Sequence, residues 1–319
     1  MARKKFVAQD IERGSGLVAD QHEVTQRNRR KAEYESRGTS DVRVGEQDFE
    51  VRDAKRRILN RLPQQEASTR RVMRQGIQKA FALYKDADKK AKKNGGELRV
   101  VEKSEVREGA KEIASQTVRE MRDQILANIE SSVKTYLIGI RRSLPDRSAL
   151  PMSKINQIAR RKAIEIYQRA SGADGKTTPQ RLAALGVRVE QELLSAFGHR
   201  DRERLNKRLV DPKGKNGACV TKGFMRMNRT EQNRAMHEAT VEACQAIGVK
   251  FFYWRLSAAH KSYGGTEICE VLSEATGLDV SNNIPQGFTG SLSGLFTADS
   301  LPSIPHPNCM CSIEPLILL

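Results

Sequence analysis

Apolar residues recur at helical spacing through most of the first two thirds of this chain. From Val51 onward Ile58, Leu59 and Leu62 lead up to Pro63. Val72, Ile77, Phe81 and Tyr84 then follow at intervals near three, four and five, and Gly95-Gly96 closes the run. Lys85 to Lys93 forms a lysine-rich helix end, where the helix dipole favours cations. The clearest helix spans Ser104 to about Ser143. Its apolar positions run from Val106, Ala110, Ile113 and Val118 through Met121, Ile125, Ile129 and Val133 to Tyr136, Leu137 and Ile140. They make one stripe, with polar residues on the other faces. Ser104 is the expected N-cap, Arg107 in place of Glu leaves no capping box, and Pro145 stops the helix. A stripe this long requires an equally long partner, either another helix of the chain or another subunit. Two shorter amphipathic helices are predicted: Ser153 to Ala170, ended by Gly172, and Pro179 to Phe197, with Pro179 well placed as a first helical residue.

The last third reads differently. Val210 to Gly223 is rich in Gly, Lys and Asp, which predicts a domain boundary. A helix from Asn228 to Ile247, closed by Gly248, precedes an aromatic strand over Lys250 to Leu256, with Trp254 expected in the core. A short helix follows around Thr266 to Ala275. Gly277 to Pro305 has loop composition, and the chain closes on a short apolar strand. The expected fold is therefore mainly α. Long amphipathic helices fill the N-terminal two thirds, and a small α+β module with short strands and a Cys/His loop forms the C-terminus. The expected division is an extended basic arm at 1–50, a helical domain at 51–210 and the α+β module at 211–319. The arm is polar and broken by glycines; it is expected to order only against partners, with an ordinary flexible terminus as the alternative. No repeat of solenoid period is present.

Composition sharpens this picture. Aromatic content of 5% with one tryptophan is lean for a large sheet and suits helical layers. The net charge is +17. Residues 1–100 hold 25 basic and 15 acidic side chains, whereas residues 201–319 hold 13 and 12, with no Lys or Arg after Lys261. Such asymmetry points to a polyanion partner for the front of the chain, most simply nucleic acid; a solvated, salt-bridged helical surface is the plainer reading. No apolar run of about 18 residues suggests a membrane span. The N-terminus leads into no signal-peptide core, and five cysteines in such a chain suggest a reducing compartment.

The candidate chemistry lies near the end, in Pro305-His306-Pro307-Asn308-Cys309-Met310-Cys311, with Cys269 about forty residues earlier. Zinc takes four Cys or His ligands, and Cys269, His306, Cys309 and Cys311 would supply them, with His260 in reserve. Small buried thiols packing a compact fold, or a disulfide, are the alternatives. Catalytic patterns are incomplete. His237-Glu238 starts a metalloprotease motif, but Val241 stands where the second histidine belongs. The deaminase Pro-Cys-x-x-Cys and a Walker-type phosphate loop are missing. A cysteine nucleophile paired with His260 or His306 rests on residue types alone.

One series carries a resemblance. It comprises Arg226 to Glu231 with its Arg229-Thr230-Glu231, the helix through Ala235 and Ala239 to Gly248-Val249, then Trp254, Cys269, Gly277 and His306-Pro307-Asn308-Cys309-Met310-Cys311. In this order the series resembles the Mu F-like minor head proteins, or phage head morphogenesis proteins, of tailed bacteriophages. The resemblance covers about the last third, Arg226 to Pro315. The chain departs from the family at Leu272, where the second cysteine of a Cys-x-x-Cys would stand, and at Met310, in place of arginine. A metal in these motifs would therefore need a histidine. The resemblance implies a low-copy virion protein, present in a few copies at the portal vertex of the head and in the host cytoplasm during assembly. It would contact portal protein, other capsid or neck proteins and double-stranded DNA, act in head assembly and DNA packaging or ejection, and have no enzyme activity. Two other readings are a metal-dependent nucleic-acid enzyme built on the Cys/His module, with Glu267 or Glu270 as base, and a DNA-binding accessory protein unrelated to virions.

Overall fold

The computed structural model describes residues 42–171, 175–199, 201–210, 219–256, 267–275, 293–302 and 311–316. Most of the expected arm, together with His260, His306 and Cys309, lies outside the described residues. The fold is mainly α, with a small antiparallel sheet near the C-terminus, as the hydrophobic pattern predicts.

Two long helices form the frame: α1, Val42–Lys93, and α2, Val100–Ser143. They run antiparallel as a hairpin. A Cβ on Gly139 would meet the Ala54 Cβ at 2.6 Å and the Glu50 carbonyl oxygen at 2.9 Å, so only glycine admits so close a crossing. At the other end Gly109 faces Leu83. The α2 stripe thus finds its long partner within the same chain. From Val106 through Met121 and Ile129 to Ile140 it is buried, and α2 also packs against three further helices, α3 (Met152–Gln168), α4 (Thr178–His199) and α6 (Val220–Gln245). A two-residue hairpin, β1 (Ala170–Ser171) with β2 (Lys176–Thr177), joins α3 to α4, and the short helix α5 (Arg202–Leu209) follows.

The C-terminal elements are β3 (Phe251–Arg255), α7 (Glu267–Glu274), β4 (Leu295–Thr297) and β5 (Ser312–Pro315). The sheet order is β4-β3-β5, all antiparallel, with Trp254 opposite Ile313 and Phe252 opposite Phe296. Alternation along β3 follows from the pleat. Phe252 and Trp254 enter the main core, while Phe251 and Leu295 form a small outer cluster with Tyr253 and Leu316. The main core is continuous from α1 and α2 into Trp254, Cys269, Cys311 and Ile313.

Several boundaries differ from expectation. Helix α1 starts at Val42 and continues through Pro63, which is exposed on its outer side where a missing N–H costs least. Helix α2 starts one turn before Ser104. Its cap is made by Glu102, whose carboxylate accepts the Arg99 backbone N–H at 2.6 Å, so half of a capping box exists after all. Helix α6 begins at Val220, two turns before Asn228, because Val220 and Phe224 are fully buried against the bundle. Strand β4 lies in the stretch expected to be loop. Gly294 precedes it with φ +73° and accepts the Trp254 N–H on its carbonyl at 2.6 Å; a Cβ there would come within 2.9 Å of the Ser273 carbonyl oxygen.

Candidate functional site

Helix α6 is buried over most of its circumference, yet it carries Asn228, Glu231, Gln232, Asn233, His237 and Thr240 among its buried residues. Buried polar groups persist only when bonded, so these side chains locate where α6 is fastened. Toward α1 and α2 they make an amide network. Ser132 donates to the Gln232 side-chain oxygen at 2.7 Å, and Gln232 and Asn228 both donate to the Gln65 oxygen, at 3.1 and 3.3 Å.

Toward the sheet they fasten β5. Among the described residues this strand pairs with β3 on one edge, so its other edge would leave carbonyls unbonded without side-chain donors. The Cys311 carbonyl accepts from Asn233 Nδ2 and from His237 Nε2, both at 2.9 Å. Two residues on, the Ile313 carbonyl accepts the Tyr136 hydroxyl of α2 at 2.6 Å. Asn233 and His237 stand four residues apart on one face of α6, the spacing that sets two side chains side by side. The Asn233 oxygen in turn accepts from Lys55 of α1 at 2.9 Å, a lysine that is itself buried. Three helices thus grip the outer edge of the last strand through side chains.

The electrostatics suit this fastening. Burial, reinforced by the nearby Lys55 charge and opposed by the bond to Cys311, lowers the His237 pKa to about 3. The ring is therefore neutral near pH 7, and since a carbonyl only accepts, Nε2 carries the proton. Among the described residues its Nδ1 has no hydrogen-bond partner, nor does the buried indole N–H of Trp254, whose ring meets that of His237 edge-on with centroids 5.3 Å apart. Burial, helped by the Glu314 charge, raises the Tyr136 pKa well above the usual phenol value, which keeps this donor neutral too. Burial likewise pushes the Cys244 thiol of α6 well up, the condition of an inert packing thiol.

The Arg229-Thr230-Glu231 series sits in the middle of α6 rather than in its first turn. Glu231 is fully buried and paired with Arg181 of α4 at 3.4 Å and Arg234 at 3.2 Å, while Arg229 reaches Glu66 of α1 at 3.9 Å. It ties α6 to its neighbours on two sides. Nearby, Lys162 of α3 lies among Glu165, Glu238 and Glu242 at 2.8, 3.7 and 3.3 Å. Burial opposes its charge, and these carboxylates, Glu165 first, raise its pKa overall.

Of the four candidate metal ligands, Cys269 on α7 and Cys311 before β5 are both buried in the core that holds Trp254; His306 and Cys309 lie outside the described residues. Among the described residues no three His, Cys, Asp or Glu side chains gather as a metal group would. Sequence reasoning assigned His237 only to an incomplete metalloprotease pattern, and it missed Lys55, Asn233 and Tyr136. The signal available was the four-residue spacing of Asn233 and His237 on a predicted helix. No protein-family model, curated protein or solved structure matches this chain.

Proposed function

We propose that this chain is a structural protein of a tailed-phage head, of the Mu F-like minor head type, acting at the portal vertex in head assembly and in DNA packaging or ejection. The observation that carries this reading is the convergence of the residues behind the resemblance. Glu231, Trp254, Cys269 and Cys311 are spread along the last third of the chain. They belong to one helix-and-sheet unit whose last strand is fastened by α6. A motif series whose described residues fold into one buried unit behaves as a structural signature. The partners in this proposal are portal protein, other capsid or neck proteins and double-stranded DNA, with several copies per virion and no catalytic role. No described helix is long and apolar enough to cross a membrane.

The test is to purify particles of the phage whose genome encodes the chain, detect it by mass spectrometry, and probe its retention on assembled portal rings. Presence in mature particles together with retention on portal supports the reading; absence from both overturns it. A structural zinc on Cys269, His306, Cys309 and Cys311 belongs to the same proposal. Elemental analysis should find about one zinc per chain, lost in Cys309→Ser. Metal-free protein with every thiol titratable removes both the zinc and the metal-enzyme alternative.

A further inference from the structure

The basic excess of the front of the chain is concentrated on one helix. Helix α1 holds 15 basic and seven acidic residues, a net +8 of the chain's +17, whereas residues 1–41 hold nine and seven. The fold then sorts these charges. Glu50 and Asp53 are buried, and Glu66 lies 2.5 Å from Arg70. Left on the solvent face are Arg56, Arg71, Arg74, Lys85, Lys92 and Lys93, all exposed and none in an ion pair among the described residues. At 100° per residue, Arg56, Arg71, Arg74, Lys85 and Lys92 fall within an arc of about 60°. The 36 residues from Arg56 to Lys92 make ten turns, a straight row of roughly 54 Å. Of the acids near it, Asp86 is engaged by Lys89 at 3.2 Å, and Asp88, half-buried, stands about 40° from the row between Lys85 and Lys92.

We infer that this face of α1 binds the phosphate backbone of double-stranded nucleic acid, without reading sequence. Three observations favour a duplex over an acidic protein. The row is long and predominantly basic, matching a rod that presents a charge every ~1.7 Å along its axis. Among the described residues the large apolar side chains that are exposed, Val100, Val101, Met152, Ile164, Val187, Leu256 and Val271, all lie off α1, so this face offers no apolar anchor for a protein interface. Arginine predominates in the first half of the row, and its fork matches phosphate oxygens. The inference deepens the virion reading by naming the surface that would meet packaged DNA, but it stands on charge geometry alone, and the two fail separately.

The test is fluorescence anisotropy of the full chain with a labelled duplex of at least about 16 base pairs, titrated across salt concentration. The variant carries Arg56→Gln, Arg71→Gln, Arg74→Gln and Lys85→Gln. A control carries Lys103→Gln, Arg107→Gln, Lys111→Gln and Arg119→Gln on α2, where exposed bases alternate with Glu105, Glu108 and Glu112. We expect the α1 variant to bind at least about tenfold more weakly and to lose about 3.6 from its log–log salt slope, with the control near wild type. Thermal melts check that both variants fold. An unchanged α1 variant, or an equal loss in the control, overturns the assignment. Equally tight binding of polyglutamate through the same four residues also overturns it, in favour of an acidic protein.

Discussion

The outer face of α1 and the seam beneath β5 are built from similar side chains, lysine, arginine and polar neighbours on long helices, yet the fold uses them in opposite ways. On the α1 face the cations point into water, spaced along a row and in no ion pair among the described residues. In the seam Lys55, which belongs to the same helix, is buried and bonded to Asn233, one link in a chain that ends on a strand carbonyl. Charge in water is inexpensive and contributes almost nothing to stability. Charge under the core persists only with partners, and a lost partner is costly. The seam should therefore govern whether the C-terminal unit stays folded, and the α1 face should govern what the folded protein attracts.

The strongest way to break this contrast is Trp254→Ala. Trp254 is essentially unexposed and lies between α6 and the sheet, so its removal should cost about 3–5 kcal/mol in denaturant unfolding. A loss below 1 kcal/mol would mean that the sheet is not anchored through this ring.

Next comes acid. His237 binds its proton near pH 6.5 when unfolded and only near pH 3 when folded. Between these values the unfolded chain holds the extra proton, so stability is fully present above pH 6.5 and declines as pH falls. The slope is about 1.4 kcal/mol per pH unit for this one group. Carboxylates add their own dependence, so the comparison is with His237→Gln, which can still donate to Cys311. Unfolding measured at pH 7 and pH 4.5 should show the smaller drop in the Gln variant. Equal drops would remove His237 as the source.

Tyr136→Phe is expected to cost less, about 1–3 kcal/mol, since it leaves the Ile313 carbonyl without its donor while keeping the ring. Smallest of all, Arg71→Gln with Arg74→Gln should shift stability by no more than about 0.5 kcal/mol, even though the same pair is expected to weaken duplex binding. A large loss of stability there would show that the α1 face is packed rather than open.

Much of the body was legible because a buried stripe on a long helix leaves a 3.6-residue signature. Val106 to Ile140 announced α2, Gly248 announced the end of α6, and the four adjacent aromatics announced β3. The misreadings share a physical cause. The start of α6 was read as linker because Lys222 and Gly223 look like loop residues, while burial of Val220 and Phe224 overrides that composition. Strand β4 is three residues long and exists through pairing with β3, a contact that no local window contains. The half-formed cap at Arg99 was hidden because the expected helix began one turn too late.

The sequence by itself determined that the chain is mainly helical, where its basic excess lies to within a hundred residues, and that a short aromatic strand follows the helix closed by Gly248. These are properties of periodicity and composition, which are local. Tertiary structure alone decided that the partner of the α2 stripe is α1, that Lys55 is buried while Arg56 beside it is exposed, and that Asn233, His237 and Tyr136 meet on one strand edge. Each of those depends on which surfaces face each other at distances along the chain that exceed any helical period. Which polar groups water is kept from is fixed only when those surfaces close.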